Sequence, residues 1–269
     1  MCAVTQHLLL GGERAATQLY ELGVRRGGVL LVHASMRSAG GDAGGMADAL
    51  RRTLGPEGTL VVPAFTPENS DTSRSYLDRV RGLSAEARAE VRASMPAFDP
   101  ATSPAPGMGA LAESVRLAPG ALRSAHPQTS FAALGPAAEK LLSGHRADCH
   151  LGEDSPLARL YEADASVLLL GTGFDSCTAF HLAEYRRPAP PRRLYRCVVA
   201  SEGGRRWWEY EDIALDDSDF AALGADFVRA RAGVVGNGRV GAARSHLFPL
   251  RAAVDFAAEW LRDRRPSGC

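Results

Sequence analysis

A strand, a helix and a second strand follow one another within residues 28–65, and that order leaves few folds open. Residues 28–33 (GVLLVH) form a continuous apolar run of strand length, and residues 46–54 carry apolar positions at helical spacing. Gly55-Pro56-Glu57-Gly58 reads as a turn, and residues 59–65 (TLVVPAF) form a second apolar run. Two strands joined through a helix predict a parallel pair with a right-handed crossover. Short apolar runs recur at residues 131–134, 167–170 and 195–200, with helical patterns at 13–22, 109–117, 137–142 and 156–161. This alternation predicts an α/β protein with a central mixed, largely parallel sheet flanked by helices. The 269 residues suffice for one such domain, residues 1–269, with a smaller lobe.

Two regions break the alternation. Residues 68–106 are polar, contain a helical stretch at 84–92 and end in a proline-rich run; they read as an excursion, a lid over a strand-end site. After Arg186 comes the connector RRPAPPRR, then a hairpin of residues 194–200 and 206–211 around Gly203-Gly204. A last helix at 254–264 carries Phe256, Trp260 and Leu261 on one face. Residues 187–269 are expected to complete an acceptor site, and with the excursion to supply the smaller lobe that forms a substrate cleft.

Charge and composition remove several classes of function. The 31 basic residues balance 31 acidic ones, so the basic surplus needed for sequence-independent binding of nucleic acid or an anionic membrane is missing. No apolar run approaches the ~18 residues of a membrane span. The start of the chain lacks the basic and apolar regions of a signal peptide. Cys2, Cys149, Cys177, Cys197 and Cys269 are odd in number and scattered, which fits free thiols in a reducing cytoplasm.

The segment 165–184, ASVLLLGTGFDSCTAFHLAE, bears most directly on function. A strand-like run ends in Gly171-Thr172-Gly173, and a helix is expected near Thr178, acting as N-cap. His181 and Glu184 then share one helix face in the first turns. Such a pair is either an ordinary histidine satisfied inside the fold or a general base oriented by a carboxylate. The helix N-terminus disfavours an imidazolium and Glu184 favours it, a balance suited to a base working near neutral pH. Hydroxyls and amides after the first strand, in His33-Ala34-Ser35-Met36-Arg37-Ser38, can receive phosphate or carbonyl oxygens, although serine-rich loops follow many strands. His126-Pro127, flanked by Ser124 and Ser130, is a rigid corner that reads equally as a structural turn or a ligand wall. Glu209, Glu211, Asp212, Asp216, Asp217 and Asp219 form a run of carboxylates that is either a solvated loop or a funnel for a polycationic ligand. His145, Cys149 and His150 lack a fourth ligand at recognisable spacing, so no metal is expected. Cys177, four residues before His181, could pair with it as a nucleophile.

Six blocks in order, LLVHASMRSAG, GPEGTLVVPAF, MPAFDPATSPAPGMGALAE, RSAHPQTSFAALG, DSPLARL and LLLGTGFDSCTAFHLAE, resemble the aminoglycoside N3-acetyltransferases. These are antibiotic acetyltransferases outside the GNAT superfamily, and the GNAT pyrophosphate motif is absent here. The resemblance spans about residues 19–261. It implies acetyl-CoA as co-substrate, without a metal, and transfer to the 3-amino group of a 2-deoxystreptamine aminoglycoside in a ternary complex. His181 matches the family's catalytic histidine and Glu184 its acidic neighbour. Ser35, Met36, Arg37 and Ser38, the corner of Ser124, His126 and Ser130, and Ser155 with Pro156 match segments that line coenzyme A. The Ser35 and Met36 amides are candidates to hold the thioester oxygen. Glu68, Asp71, Asp175, Glu211, Asp212, Asp216, Asp217 and Asp219 are expected to meet the amines of the antibiotic. The family's Asn-Thr is Cys177-Thr178 here, which leaves the asparagine's role open. Alternatives are an acyl-CoA-dependent acyltransferase for another, biosynthetic amine, a Cys177 ping-pong enzyme, and a binding protein without turnover. The expected setting is cytoplasmic, as a monomer or homodimer.

Overall fold

The computed structural model describes residues 3–265, with side chains from residue 12 onward. Cys2 and Cys269 lie outside the described residues. The described residues form nine strands, β1 (Val29–Ala34), β2 (Thr59–Pro63), β3 (Leu122–Arg123), β4 (Phe131–Leu134), β5 (Ser166–Leu170), β6 (Arg192–Ser201), β7 (Gly204–Ile213), β8 (Gly236–Val240) and β9 (Ala243–Pro249). Seven of them form one sheet in the order β3-β4-β2-β1-β5-β9-β8. The sheet is parallel at its centre, where β1 pairs with β2 and with β5, and its outer pairings are antiparallel. The helix between β1 and β2, Ala43–Leu54, supplies the crossover that the sequence implies.

Both faces of the sheet are covered, which is why its central strands are apolar throughout. Register places Leu31 beside Val61 on one side and Val167 on the other. That row packs into one core with Phe180, Phe220 and Val254 from three helices. Leu30 and Val32 point to the opposite face, against Leu19, Leu50 and Val115. Full burial of a Leu or Val side chain contributes about 1.5–3 kcal/mol. Leu31, with no exposed surface, is thus a position where truncation to Ala costs about 2–5 kcal/mol.

The hairpin β6–β7 stands apart as a two-stranded sheet. The excursion fastens onto it: Tyr76, Val80 and Met95 pack against Val198, and the Phe98 amide donates to the Val198 carbonyl at 3.1 Å. Together they make the smaller lobe. Residues beyond the hairpin return to the main sheet as β8 and β9, and the helix Leu250–Arg264 packs its Ala253, Val254 and Leu261 on the main core. Only part of the C-terminal third therefore belongs to the smaller lobe. Strand β9 was not anticipated: Ala-Arg-Ser-His-Leu-Phe-Pro mixes charged and apolar residues, and its partner β5 supplies the pattern it lacks.

Candidate active site

Because β2, β1 and β5 are parallel, their C-terminal ends open on one edge of the sheet, where α/β proteins bind ligands. A cavity of 370 Å³ lies there. Its walls include His33 and Ala34 from β1, Val62 and Pro63 from β2, Thr172 and Asp175–Thr178 after β5, Gly107 and Met108, and His181. The loops after β1 and β5 meet closely at Gly171, whose φ is +69°. A Cβ there would stand 2.7 Å from the Ser38 Cβ and 3.2 Å from the Ser35 carbonyl oxygen. Glycine thus answers both the backbone conformation and the contact.

The helix carrying the histidine is short, Phe180–Tyr185, and starts one residue later than an N-cap at Thr178 would place it. Ala179 is its N-cap and no side chain caps it, so the Thr178 hydroxyl does not play the expected role. His181 still occupies the first turn. Its ring packs 4.8 Å from that of Phe220, and its Nδ1 lies 2.6 Å from Glu184 Oε2. A nitrogen hydrogen-bonded to a carboxylate carries the proton, so Nε2 of the neutral ring holds the lone pair. Glu184 is 2 % exposed. Its Oε1 accepts from the Asp216 amide at 3.1 Å and from Arg265 at 2.7 Å. Arg265 also donates to Asp219 Oδ2 and to the Asp216 carbonyl, both at 2.8 Å. The carboxylate is held from both sides and fixes the imidazole in turn.

The acidic run is not left without counter-charges. It holds no basic residue in sequence, yet the fold brings arginines to it from elsewhere. Arg265 binds Asp216 and Asp219, Arg192 stands 3.9 Å from Glu211, and Arg196 stands 3.8 Å from Glu209. Asp212 is 3 % exposed and turned inward. Asp71 is likewise buried, between Arg92 and Arg196 at 3.0 Å each, and outside the cavity wall. Glu68 is exposed and outside the cavity wall. Of the carboxylates expected to meet an acceptor, Asp175 and Asp217 line the cavity.

The segments expected to line a cofactor divide in the same way. Ser35, Met36, Arg37 and Ser38 lie at the surface just past Ala34, with the Ser35 and Ser38 hydroxyls 3.1 Å apart. The Ser35 amide is spent on the Leu170 carbonyl at 2.9 Å, so it cannot hold a thioester oxygen. Ser124, His126, Ser130, Ser155 and Pro156 are buried and outside the cavity wall. Ser124 Oγ meets His145 Nδ1 at 3.0 Å, Ser130 donates to the Ala64 carbonyl at 2.8 Å, and Ser155 caps the helix Pro156–Glu162. Their polarity serves the fold, for a buried hydroxyl needs an internal partner.

His126 packs its ring, tilted, against those of His145 and His150, with centroids 4.7 and 4.8 Å apart. His150 bonds Asp212 Oδ2 at 2.9 Å through Nδ1 and the Tyr210 hydroxyl at 3.0 Å through Nε2. His145 spends its ring nitrogens on Ser124 and on the carbonyls of Cys149 and His150. Nothing remains on either ring for a metal, and no metal-holding group of three occurs among the described residues. Burial pulls His145 down to about 4 and His126 well below its ordinary value. Burial would raise Asp212, but hydrogen bonds from His150 and Tyr185 outweigh it and leave the carboxyl low. Cys177 has no exposed surface, and burial pushes its thiol up to about 12.

Fold and cleft together define an α/β protein whose cavity opens at the ends of its central parallel strands. The family model described as aminoglycoside 3-N-acetyltransferase matches residues 31–262, and the chain belongs to that family. Aminoglycoside N(3)-acetyltransferase VII of Streptomyces paromomycinus is 38 % identical over 95 % of this chain and 94 % of its own. The crystal structure of YokD protein from Bacillus subtilis superposes with a TM-score of 0.85 at 36 % identity, covering 94 % of this chain and 98 % of that one. A structure of AAC-IIIb, binary with CoASH, superposes at 0.79 and 33 % identity, covering 94 % and 97 %. Among the described residues no helix is long and apolar enough to cross a membrane.

Proposed function

We propose that the chain transfers the acetyl group of acetyl-CoA to the 3-amino group of a 2-deoxystreptamine aminoglycoside, with His181 as general base. The observation that carries this reading is the 2.6 Å bond from His181 Nδ1 to a doubly anchored Glu184, at the wall of the strand-end cavity. It directs the basic Nε2 away from the carboxylate, which supports a role in taking a proton from an acceptor amine.

An aminoglycoside amine is largely ammonium at neutral pH and has no free electron pair. His181 Nε2 takes one proton from it, and Glu184 stabilises the imidazolium that results. The freed amine forms the bond to the acyl carbon, and the carbon–sulfur bond then breaks. Its second proton is lost as the amide forms, and the departing thiolate takes up one proton, so one proton is released overall. Acetyl-CoA supplies the activated thioester carbonyl. The residues present suit it: Arg37 has no carboxylate partner among the described residues, and the Met36 and Arg37 amides have no backbone acceptor, so this loop can receive phosphate or amide oxygens. Asp175 and Asp217 would hold the other ammonium groups of the drug. Acetylation removes a positive charge on which binding to ribosomal RNA depends, and resistance follows.

A buried thiol held neutral is a poor nucleophile, which favours direct transfer over a Cys177 acyl-enzyme. The test is release of CoA thiol from acetyl-CoA with gentamicin, tobramycin, neomycin, paromomycin and apramycin, with the acetylated product identified by mass. No thiol release with any of them, and turnover with a different amine, would transfer the reading to a biosynthetic acyltransferase.

A further inference from the structure

His33 is the second imidazole of the cavity, and neither the fold nor the reaction described above uses it. It is the penultimate residue of β1, two positions before the loop that begins at Ser35, and it lines the same wall as His181. It is 7 % exposed, and its Nε2 is shielded from solvent without a hydrogen-bond partner. Buried polar atoms almost always find partners, so such a nitrogen at a cavity wall points to a group that arrives with a ligand. The ring also stays uncharged: burial, and secondarily the charge of a protonated His181, lower it to about 4. When His181 takes its proton, His33 is held still more firmly neutral, so it acts as a hydrogen-bond donor and not as a competing base.

Several other donors near the cleft are committed, although Thr178 also presents a hydroxyl on this wall. The Ser35 amide is tied to Leu170, and the hydroxyls of Thr172 and Ser176 pair with each other at 2.7 Å. Met36 and Arg37 lie outside the cavity wall. We propose that the neutral imidazole of His33 donates from Nε2 to the carbonyl oxygen of the acyl thioester, stabilising the negative charge that develops there as the amine attacks. No proton leaves His33. The amine's electron pair forms the new carbon–nitrogen bond, the carbonyl pair moves onto oxygen and returns as the carbon–sulfur bond breaks, and the His33 hydrogen bond strengthens in between. Loss of one such donor typically lowers kcat about 10²–10³-fold.

This inference rests on the acetyl-transfer reading, and two measurements separate them. In the thiol-release assay, H33A should lower kcat about 10²-fold with both KM values within about threefold. H33Q, whose amide nitrogen reaches the place of Nε2, should recover most of the loss, and H33N, whose amide falls at Nδ1, should not. Binding by calorimetry supplies a readout without turnover, using acetonyl-CoA, a thioether that keeps a ketone but cannot transfer it. H33A should weaken acetonyl-CoA about tenfold and leave CoASH within twofold. Unchanged kcat in all three variants, or equal weakening of both ligands, overturns the role of His33 while leaving the acetyl-transfer reading intact. A wild-type protein that binds neither ligand overturns both.

Discussion

Acid should destabilise this protein well before its carboxylates titrate, because it buries histidines that must stay neutral. His33 and His145 each fall from 6.5 to about 4 through burial, and His126 and His150 are lowered as well. A folded value below the unfolded one means that the unfolded chain binds more protons, so stability rises with pH across the window between the two. It is complete above 6.5 and is lost as pH falls toward 4. Each of the two quantified histidines costs about 2 kcal/mol at pH 5 and about 3 kcal/mol at pH 4. The pair therefore removes about 4 kcal/mol at pH 5, a large part of a typical total of roughly 5–15 kcal/mol. In a domain of this size that lowers Tm by about 10 °C. Thermal unfolding followed by circular dichroism at pH 7.5, 6 and 5 measures it. In H33Q one proton is removed from the balance, so the slope of stability against pH should drop by about 1.4 kcal/mol per pH unit. A Tm that is flat from pH 7.5 to 5, or a slope unaltered in H33Q, refutes the reasoning.

Other consequences follow from the contacts around His181. Replacing Cys177 by Ser should leave kcat within a few-fold of wild type in steady-state assays; a loss beyond about 10²-fold would support an acyl-enzyme. Arg265→Met leaves the 2 %-exposed Glu184 without its cation, so it should lower both Tm and kcat, the loss of stability being about 3 kcal/mol. Unchanged values would show that the Asp216 amide alone suffices. D217N should raise KM for the aminoglycoside and leave that for acetyl-CoA alone. D212N should act chiefly on stability, because Asp212 accepts from His150 inside the fold.

What could be read from the sequence divides along a physical line. Apolar periodicity located β1, β2, β4 and β5 and the helices around residues 46–54 and 254–264, since each buries a continuous face that its own residues display, but it passed over the helix Phe220–Ala230. It missed β9, whose place in the sheet depends on β5 and not on its own alternation. His181 and Glu184 were legible because a helix turn joins residues three apart. Arg265 was not, for it reaches Glu184 across 81 residues of sequence. The same blindness made the acidic run look uncompensated and Asp71 look available. Ser124, His126 and Ser130 carried polar chemistry, but whether a polar side chain meets a ligand or the inside of the fold is decided by tertiary burial.

The base is the centre of the account, and H181Q against wild type tests it most directly. Thiol-release kinetics at saturating acetyl-CoA and aminoglycoside should show a loss in kcat of about 10²–10⁴-fold, with Tm within a few degrees of wild type. A folded H181Q that turns over at the wild-type rate would contradict the assignment of His181 and require another group to take the ammonium proton.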